Sequence, residues 1–268
     1  MILYNMAMSF YTKLQSSIRR NNSLLCVGLD PKQKPLFSFC KKIIDQTGDL
    51  VCAYKPNSAF FEAHGDLGIR ELKKTIAYIQ KKFPTVQVIL DAKRGDIGST
   101  NEGYISYAFD YLHADAITIH PYLGKDANQG YLSRKDKGVI VLCKTSNEGS
   151  DEFQNQSMKN GKPLYATVAK NVAQKWNAQQ NCLLVVGATY PTELKMVRRI
   201  VGDEMFILVP GIGAQGGDLK ATLKAGLNAK KNGLIINSAR GIIFAKNPRD
   251  EAMKLRDAIN SFRTSAHR

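Results

Sequence analysis

VQVILDAKRGDIGSTN (86–101) joins an apolar run to a dense set of charges. Val86, Val88, Ile89 and Leu90 have the character of a strand buried on both faces. Asp91, Lys93, Arg94 and Asp96 follow at once. In an extended strand alternate residues share a face, so Ile89, Asp91 and Lys93 are expected on one side and Val88, Leu90 and Ala92 on the other. An Asp and a Lys then stand side by side at the end of a buried strand. Burying unpaired charge costs on the order of several kcal/mol, so the pair belongs at a polar mouth or inside a compensated network. A structural ion pair explains this stretch as well as a functional site does, because ionisable clusters occur in both. The rest of the chain separates the two.

Seven more apolar runs keep the same beat: LLCVGLD (24–30), LVCAYKP (50–56), AITIHP (116–121), GVIVLCK (138–144), CLLVVGA (182–188), MFILVPG (205–211) and GLIINSA (233–239). Amphipathic segments lie between them. Residues 66–82 carry Leu72, Ile76 and Ile79 on one face, residues 162–180 carry Leu164, Val168, Val172 and Trp176, and residues 191–201 carry Leu194, Val197 and Val201. A last helix with Leu255, Ile259 and Phe262 starts at Asn247-Pro248, a cap residue followed by proline in the first turn. Ahead of the first strand, SFYTKLQSSIRR (9–20) places Phe10, Leu14 and Ile18 on one face of a short leading helix that covers one end of the core. Strands alternating with helices predict an α/β fold, a (β/α)8 TIM barrel, with residues 1–268 as a single domain. A doubly wound open sheet is the alternative, but no G-x-G-x-x-G follows the first strand. The longest irregular stretch, TSNEGSDEFQNQSMKNGK (145–162), follows the fifth strand. A loop of that length is commonly functional or disordered.

Apolar residues make up 44% of the 268, enough for a sizeable core. No apolar run approaches the length of a membrane span, and no membrane partner is expected. MILYNMAMSF (1–10) has no basic leader and no small-residue cleavage site, so the cytoplasm is the expected compartment. The five cysteines, Cys26, Cys40, Cys52, Cys143 and Cys182, show neither C-x-x-C pairing nor metal-ligand spacing and read as reduced, structural thiols. Lysine and arginine exceed aspartate and glutamate by 15, which favours anionic partners. The surplus is spread along helix faces (Lys73, Lys74, Lys81, Lys82, Arg198, Arg199, Lys230, Lys231) without a recognition motif or aromatic ladder. Phosphorylated metabolites explain it better than nucleic acid, which is not an expected partner.

In a barrel the carboxyl ends of the strands form one face, where active sites sit. Strand one ends in Asp30, strand two in Lys55, strand three in Asp91 and Lys93, strand four in His120, and strand five in Lys144 with Thr145 and Ser146 beyond. The opposite ends carry no comparable set. His120 lacks a second histidine or a carboxylate partner and reads as a hydrogen-bonded wall residue. Trp176 reads as helix-to-barrel packing. The seventh and eighth strands run into PGIGAQGGD (210–218) and NSARG (237–241), small-residue loops with Gln215 and Arg240 where barrel enzymes commonly hold phosphate.

Taken together these motifs resemble the orotidine 5′-phosphate decarboxylase family. D-A-K-R-G-D (91–96) looks like its D-x-K-x-x-D signature, and L-D (29–30), K-P-N (55–57), T-S-N (145–147), P-G-I-G-A-Q-G-G-D (210–218) and S-A-R (238–240) follow in the family's order. The longer loops and K-P-N-S-A-F-F-E (55–62) look like its less common, longer-chain branch. The resemblance implies decarboxylation of orotidine 5′-phosphate to UMP with no cofactor and no metal. It implies Lys93 as proton donor to C6 of the pyrimidine, Asp91 beside the substrate carboxylate, and Lys55 and Asp96 completing a row of alternating charge. Asp30 would contact ribose, Ser146 the pyrimidine, and Gln215 with Arg240 the phosphate, with Pro210 also among the substrate-binding residues. Asp96 and Thr100 would reach the neighbouring subunit's site, making the enzyme a homodimer. Ala239 departs from the glycine that many relatives place before this arginine. Two rivals remain on the same barrel: a metal-dependent sugar-phosphate decarboxylase or synthase, and a Schiff-base aldolase using Lys93 or Lys144.

Overall fold

The computed structural model describes residues 8–213 and 216–265. Strands β1 (Leu25–Leu29), β2 (Ala53–Pro56), β3 (Gln87–Arg94), β4 (Ala116–Ile119), β5 (Gly138–Lys144), β6 (Cys182–Val186), β7 (Ile207–Pro210) and β8 (Leu234–Ser238) close into a parallel barrel in sequence order. Closure is direct: β8 pairs with β1 through Leu25↔Ile236 and Cys26↔Asn237. The strands are buried almost throughout, as their continuous apolar character requires, and helices cover the outside. The architecture is the expected (β/α)8 TIM barrel.

The leading helix, Phe10–Asn21, is capped by Ser9, whose side chain accepts from Thr12 N at 3.2 Å. It seals the amino-terminal end of the barrel. Phe10 packs so closely on Gly138 at the start of β5 that a Cβ there would lie 2.7 Å from its ring, and Ser17 Oγ donates to Cys52 O at 2.8 Å. Among the described residues three helices of eight or more residues appear beyond those read from the sequence: Leu36–Thr47, Gly98–Ile105 and Leu219–Gly226. The first was legible, since Leu36, Cys40, Ile43, Ile44 and Thr47 form its buried stripe. All five cysteines are free and buried. Among the described residues no helix is long and apolar enough to cross a membrane.

Three local readings are corrected. Regular pleating along β3 does not reach Lys93, whose φ is +47°, and the pairing with β4 shifts register between Leu90 and Arg94, although Lys93 still lies beside Asp91 as expected. A bulge of this kind re-aims side chains at the strand end. Arg198 does not belong to the solvated basic surface. It is buried, and its guanidinium donates to Gly226 O (2.8 Å), Met205 O (2.7 Å) and Gly233 O (2.6 Å), tying helix Pro191–Val201 to the end of helix Leu219–Gly226 and to the segments just before β7 and β8. Burial pushes it down to about 10. The 145–162 stretch is ordered by short turns over Glu148–Ser150 and Asp151–Gln154 and by an antiparallel bridge, Ser157↔Pro163.

Candidate active site

A cavity of about 390 Å³ opens at the carboxyl ends of the strands. One side is charged and the other apolar. Asp30 after β1, Lys55 on β2 and Asp91 and Lys93 on β3 form the charged wall, while Leu142, Val185, Leu208 and Ile212 supply apolar surface across from it. Ser146, Pro210 and Arg240 also line it. The cavity has the size and mixed lining of a small-molecule site.

Asp91 is the hub. Its Oδ2 accepts from Lys55 Nζ at 2.6 Å, and its Oδ1 from Lys93 Nζ at 2.6 Å and Thr118 Oγ1 at 2.9 Å. Lys55 and Asp91 are buried, with side chains 7% and 10% exposed, whereas the Lys93 side chain is 50% exposed. Burial works against the Asp91 carboxylate, but Lys55 and Lys93 outweigh it and hold it well below the usual carboxylate range. Burial likewise works against the Lys55 ammonium, and Asp91 with Asp30 more than offsets it, so Lys55 is raised. Asp30 moves the other way: its burial raises it, only partly opposed by Lys55. The arrangement is a fixed row of charges in which one ammonium, that of Lys93, reaches open space.

Thr118 was not singled out in the sequence, although it is the polar residue inside an apolar strand. Besides donating to Asp91, its Oγ1 accepts from Lys93 N at 3.0 Å. One buried hydroxyl therefore fixes both the carboxylate and the backbone that aims the lysine. Asn57 and Asn237, inside quoted motifs but given no role there, also line the cavity.

Lys144, counted among the charged strand ends, does not face the cavity. The register shift between Leu142 and Lys144 turns it away, and its ammonium pairs with Asp151 and donates to Ser150 Oγ at 2.7 Å. His120 lies off the lining of this cavity and is hydrogen-bonded, its Nε2 3.0 Å from Gly95 O, and Trp176 is buried in the core. Asp96 and Thr100 lie off the lining of their own chain's cavity. Thr100 is exposed, and the Asp96 backbone is pinned by Asn101, whose Oδ1 accepts from Asp96 N at 3.0 Å. Gln215 lies outside the described residues. Ala239, with a negative φ of −119°, needs no glycine, and Gly28 opposite leaves room for it: a Cβ on Gly28 would fall 2.6 Å from that of Ala239. Among the described residues no group of three or more His, Cys, Asp or Glu is arranged to hold a metal ion.

Removing the hub should be costly. Asp91→Ala leaves the Lys55 ammonium buried without its direct partner, and we expect a loss of about 3–5 kcal/mol in urea unfolding at neutral pH. Because Asp91 is depressed in the fold, its contribution is fully present above the unfolded carboxyl value of about 4 and lost as the pH falls below it. The gap between wild type and variant should therefore narrow in acid.

A closed barrel with a charged rim on one side of its cavity and a small-residue loop on the other defines a (β/α)8-barrel enzyme. Residues 23–255 match the model of the Orotidine 5′-phosphate decarboxylase / HUMPS family, and the chain belongs to that family. It is 48% identical to the orotidine 5′-phosphate decarboxylase of Cupriavidus necator, over 96% of this chain and 99% of that one. Among solved structures it is similar to the Leishmania donovani OMP decarboxylase (TM-score 0.89, 43% identity, 96% of this chain and 99% of that chain). It also resembles the Leishmania donovani UMP synthase (TM-score 0.91, 45% identity), covering 96% of this chain and 57% of that longer one.

Proposed function

We propose that the protein decarboxylates orotidine 5′-phosphate to UMP and CO2 in pyrimidine biosynthesis, as one barrel domain working without metal or cofactor. The observation that carries this reading is the Lys55–Asp91–Lys93 row, with the Lys93 ammonium 2.6 Å from Asp91 and half exposed to the cavity. Loss of CO2 from C6 leaves the bonding electron pair on a ring carbon with little resonance help. A preorganised ammonium stabilises that charge and delivers its proton to C6, forming the new C–H bond as Lys93 becomes neutral. Asp91 lies next to the substrate carboxylate and orients Lys93. Ser146 meets the pyrimidine. Asp30, whose buried Oδ1 has no partner among the described residues, accepts from ribose hydroxyls. Pro210, Gln215 and Arg240 hold the phosphate end. In a metal-dependent sugar-phosphate enzyme a carboxylate is wanted where Lys55 stands, ion-paired to Asp91.

The protein acts as a homodimer in which Asp96 and Thr100 complete the partner's cavity. Their position off their own chain's lining supports this, as does the 63% exposure of Ile97 between them. Five buried free thiols suit a reducing compartment, the cytoplasm.

The deciding experiment follows the ultraviolet band of orotidine 5′-phosphate with purified protein, with and without excess EDTA. Loss of the band in both arms is expected. An unchanged band with a folded protein rejects the reading, and loss abolished by EDTA moves it to the metal-dependent class. Arg240→Ala should raise KM by about 10- to 100-fold with a smaller change in kcat, because the guanidinium grips a remote group. Steady-state kinetics check this.

A further inference from the structure

We propose that Lys144, Ser150, Asp151 and Tyr190 form a positioning device for the pyrimidine. They fix the Thr145–Asn147 segment in the cavity wall, so that the enzyme selects the base as well as the ribose phosphate. This rests on reading the cavity as a nucleotide site.

Lys144 is the last residue of β5 and is fully buried. An ammonium in that position must be compensated or it destabilises the fold, and an apolar side chain would fill the space at lower cost. What it provides is direction. Lys144 Nζ donates to Ser150 Oγ at 2.7 Å, Ser150 Oγ donates to Tyr190 OH at 3.2 Å, and Tyr190 OH donates to Asn147 O at 3.4 Å. The chain of donors starts below the wall segment and ends on its backbone. The ammonium also pairs with Asp151 and stands 4.1 Å from the centre of the Tyr190 ring, a cation–π contact that fixes the ring's place in the chain.

Independent tethers reach the same three residues. Gln154 Oε1 accepts from Thr145 N and its Nε2 donates to Thr145 Oγ1, both at 2.8 Å, and Thr189 Oγ1 donates to Ser146 O at 3.3 Å. Gly187 lies so close beneath that a Cβ there would stand 2.7 Å from Ser146 Cα. Thr145, Ser146 and Asn147 all line the cavity, whereas Lys144, Ser150 and Asp151 do not. The network therefore acts on whatever Ser146 touches, and it shares no residue with the Asp91 hub. Its loss should weaken base recognition while sparing the grip on ribose phosphate.

The test is titration calorimetry of UMP and of ribose 5-phosphate, which lacks the base, against wild type, Lys144→Met and Asp151→Asn. Asp151 is 56% exposed on its side chain, so its substitution keeps the test valid if the buried variant fails to fold. UMP binding is expected to weaken about tenfold in Asp151→Asn and more in Lys144→Met, with ribose 5-phosphate held within about twofold. Asp151→Glu, which keeps the charge, should recover part of the loss. In turnover the effect should appear mainly in KM. Equal weakening of both ligands, or of neither, overturns this inference alone. A wild-type protein that binds UMP no better than ribose 5-phosphate overturns it together with the nucleotide reading.

Discussion

Lys93→Ala is expected to give a folded barrel whose turnover of orotidine 5′-phosphate is lower by about 10⁴-fold or more, because proton delivery and charge stabilisation are lost together. The fold should survive for two reasons. The Lys93 side chain is half exposed, unlike that of Lys55, so its removal opens no buried hole. Asp91 also keeps Lys55 and Thr118 as partners. The backbone adds a further point. A non-glycine residue at φ +47° is strained by about 1–3 kcal/mol, and here the Thr118 hydroxyl bonded to Lys93 N helps to hold it. That strain falls at the residue proposed to deliver the proton. Lys93→Gly should therefore be at least as stable as Lys93→Ala while equally inactive. Thermal melts by circular dichroism alongside single-turnover assays separate the two effects, and near-normal turnover in either variant rejects Lys93 as the acid.

The barrel was legible because its strands are buried on both faces and so read as continuous apolar runs, each ending in a residue of different chemistry. The charged wall was legible for the same reason: Asp30, Lys55 and Asp91 follow directly on such runs. What could not be read was the fate of Lys144. Lys93, which lies beside Asp91 in the cavity as alternation places it, and Lys144, the last residue of β5, both lie where their strands shift register, and periodicity assigns a face only while the pleat holds. One lysine turns into the cavity and the other into a latch behind its wall. Arg198 fits a solvated helix face by composition, and only the four backbone carbonyls converging on it, those of Gly202, Met205, Gly226 and Gly233, show why it is buried. Thr118 gave a weak signal, a hydroxyl in an apolar strand, and its two bonds depend on the neighbour β3, which spacing along one strand cannot reveal.

Asp96, the last residue of the D-x-K-x-x-D signature, and Thr100 pose the complementary case, residues off the lining of their own chain's cavity. If each site takes Lys93 from one subunit and Asp96 from the other, two inactive proteins should repair each other. Lys93→Ala and Asp96→Asn homodimers are each expected to be nearly inactive. Mixed after reversible dissociation, they form heterodimers in which one site carries both defects and the other carries neither. Random pairing makes about half of the dimers mixed, so activity should rise to about one quarter of wild type, orders of magnitude above either parent. Dependence on subunit exchange is the control: mixing without dissociation should restore activity only as slowly as subunits exchange. If both variants are inactive and the mixture stays so after exchange is verified by mass spectrometry, Asp96 acts within its own chain. The loop pinned by Asn101 would then have to move inward to reach Lys93.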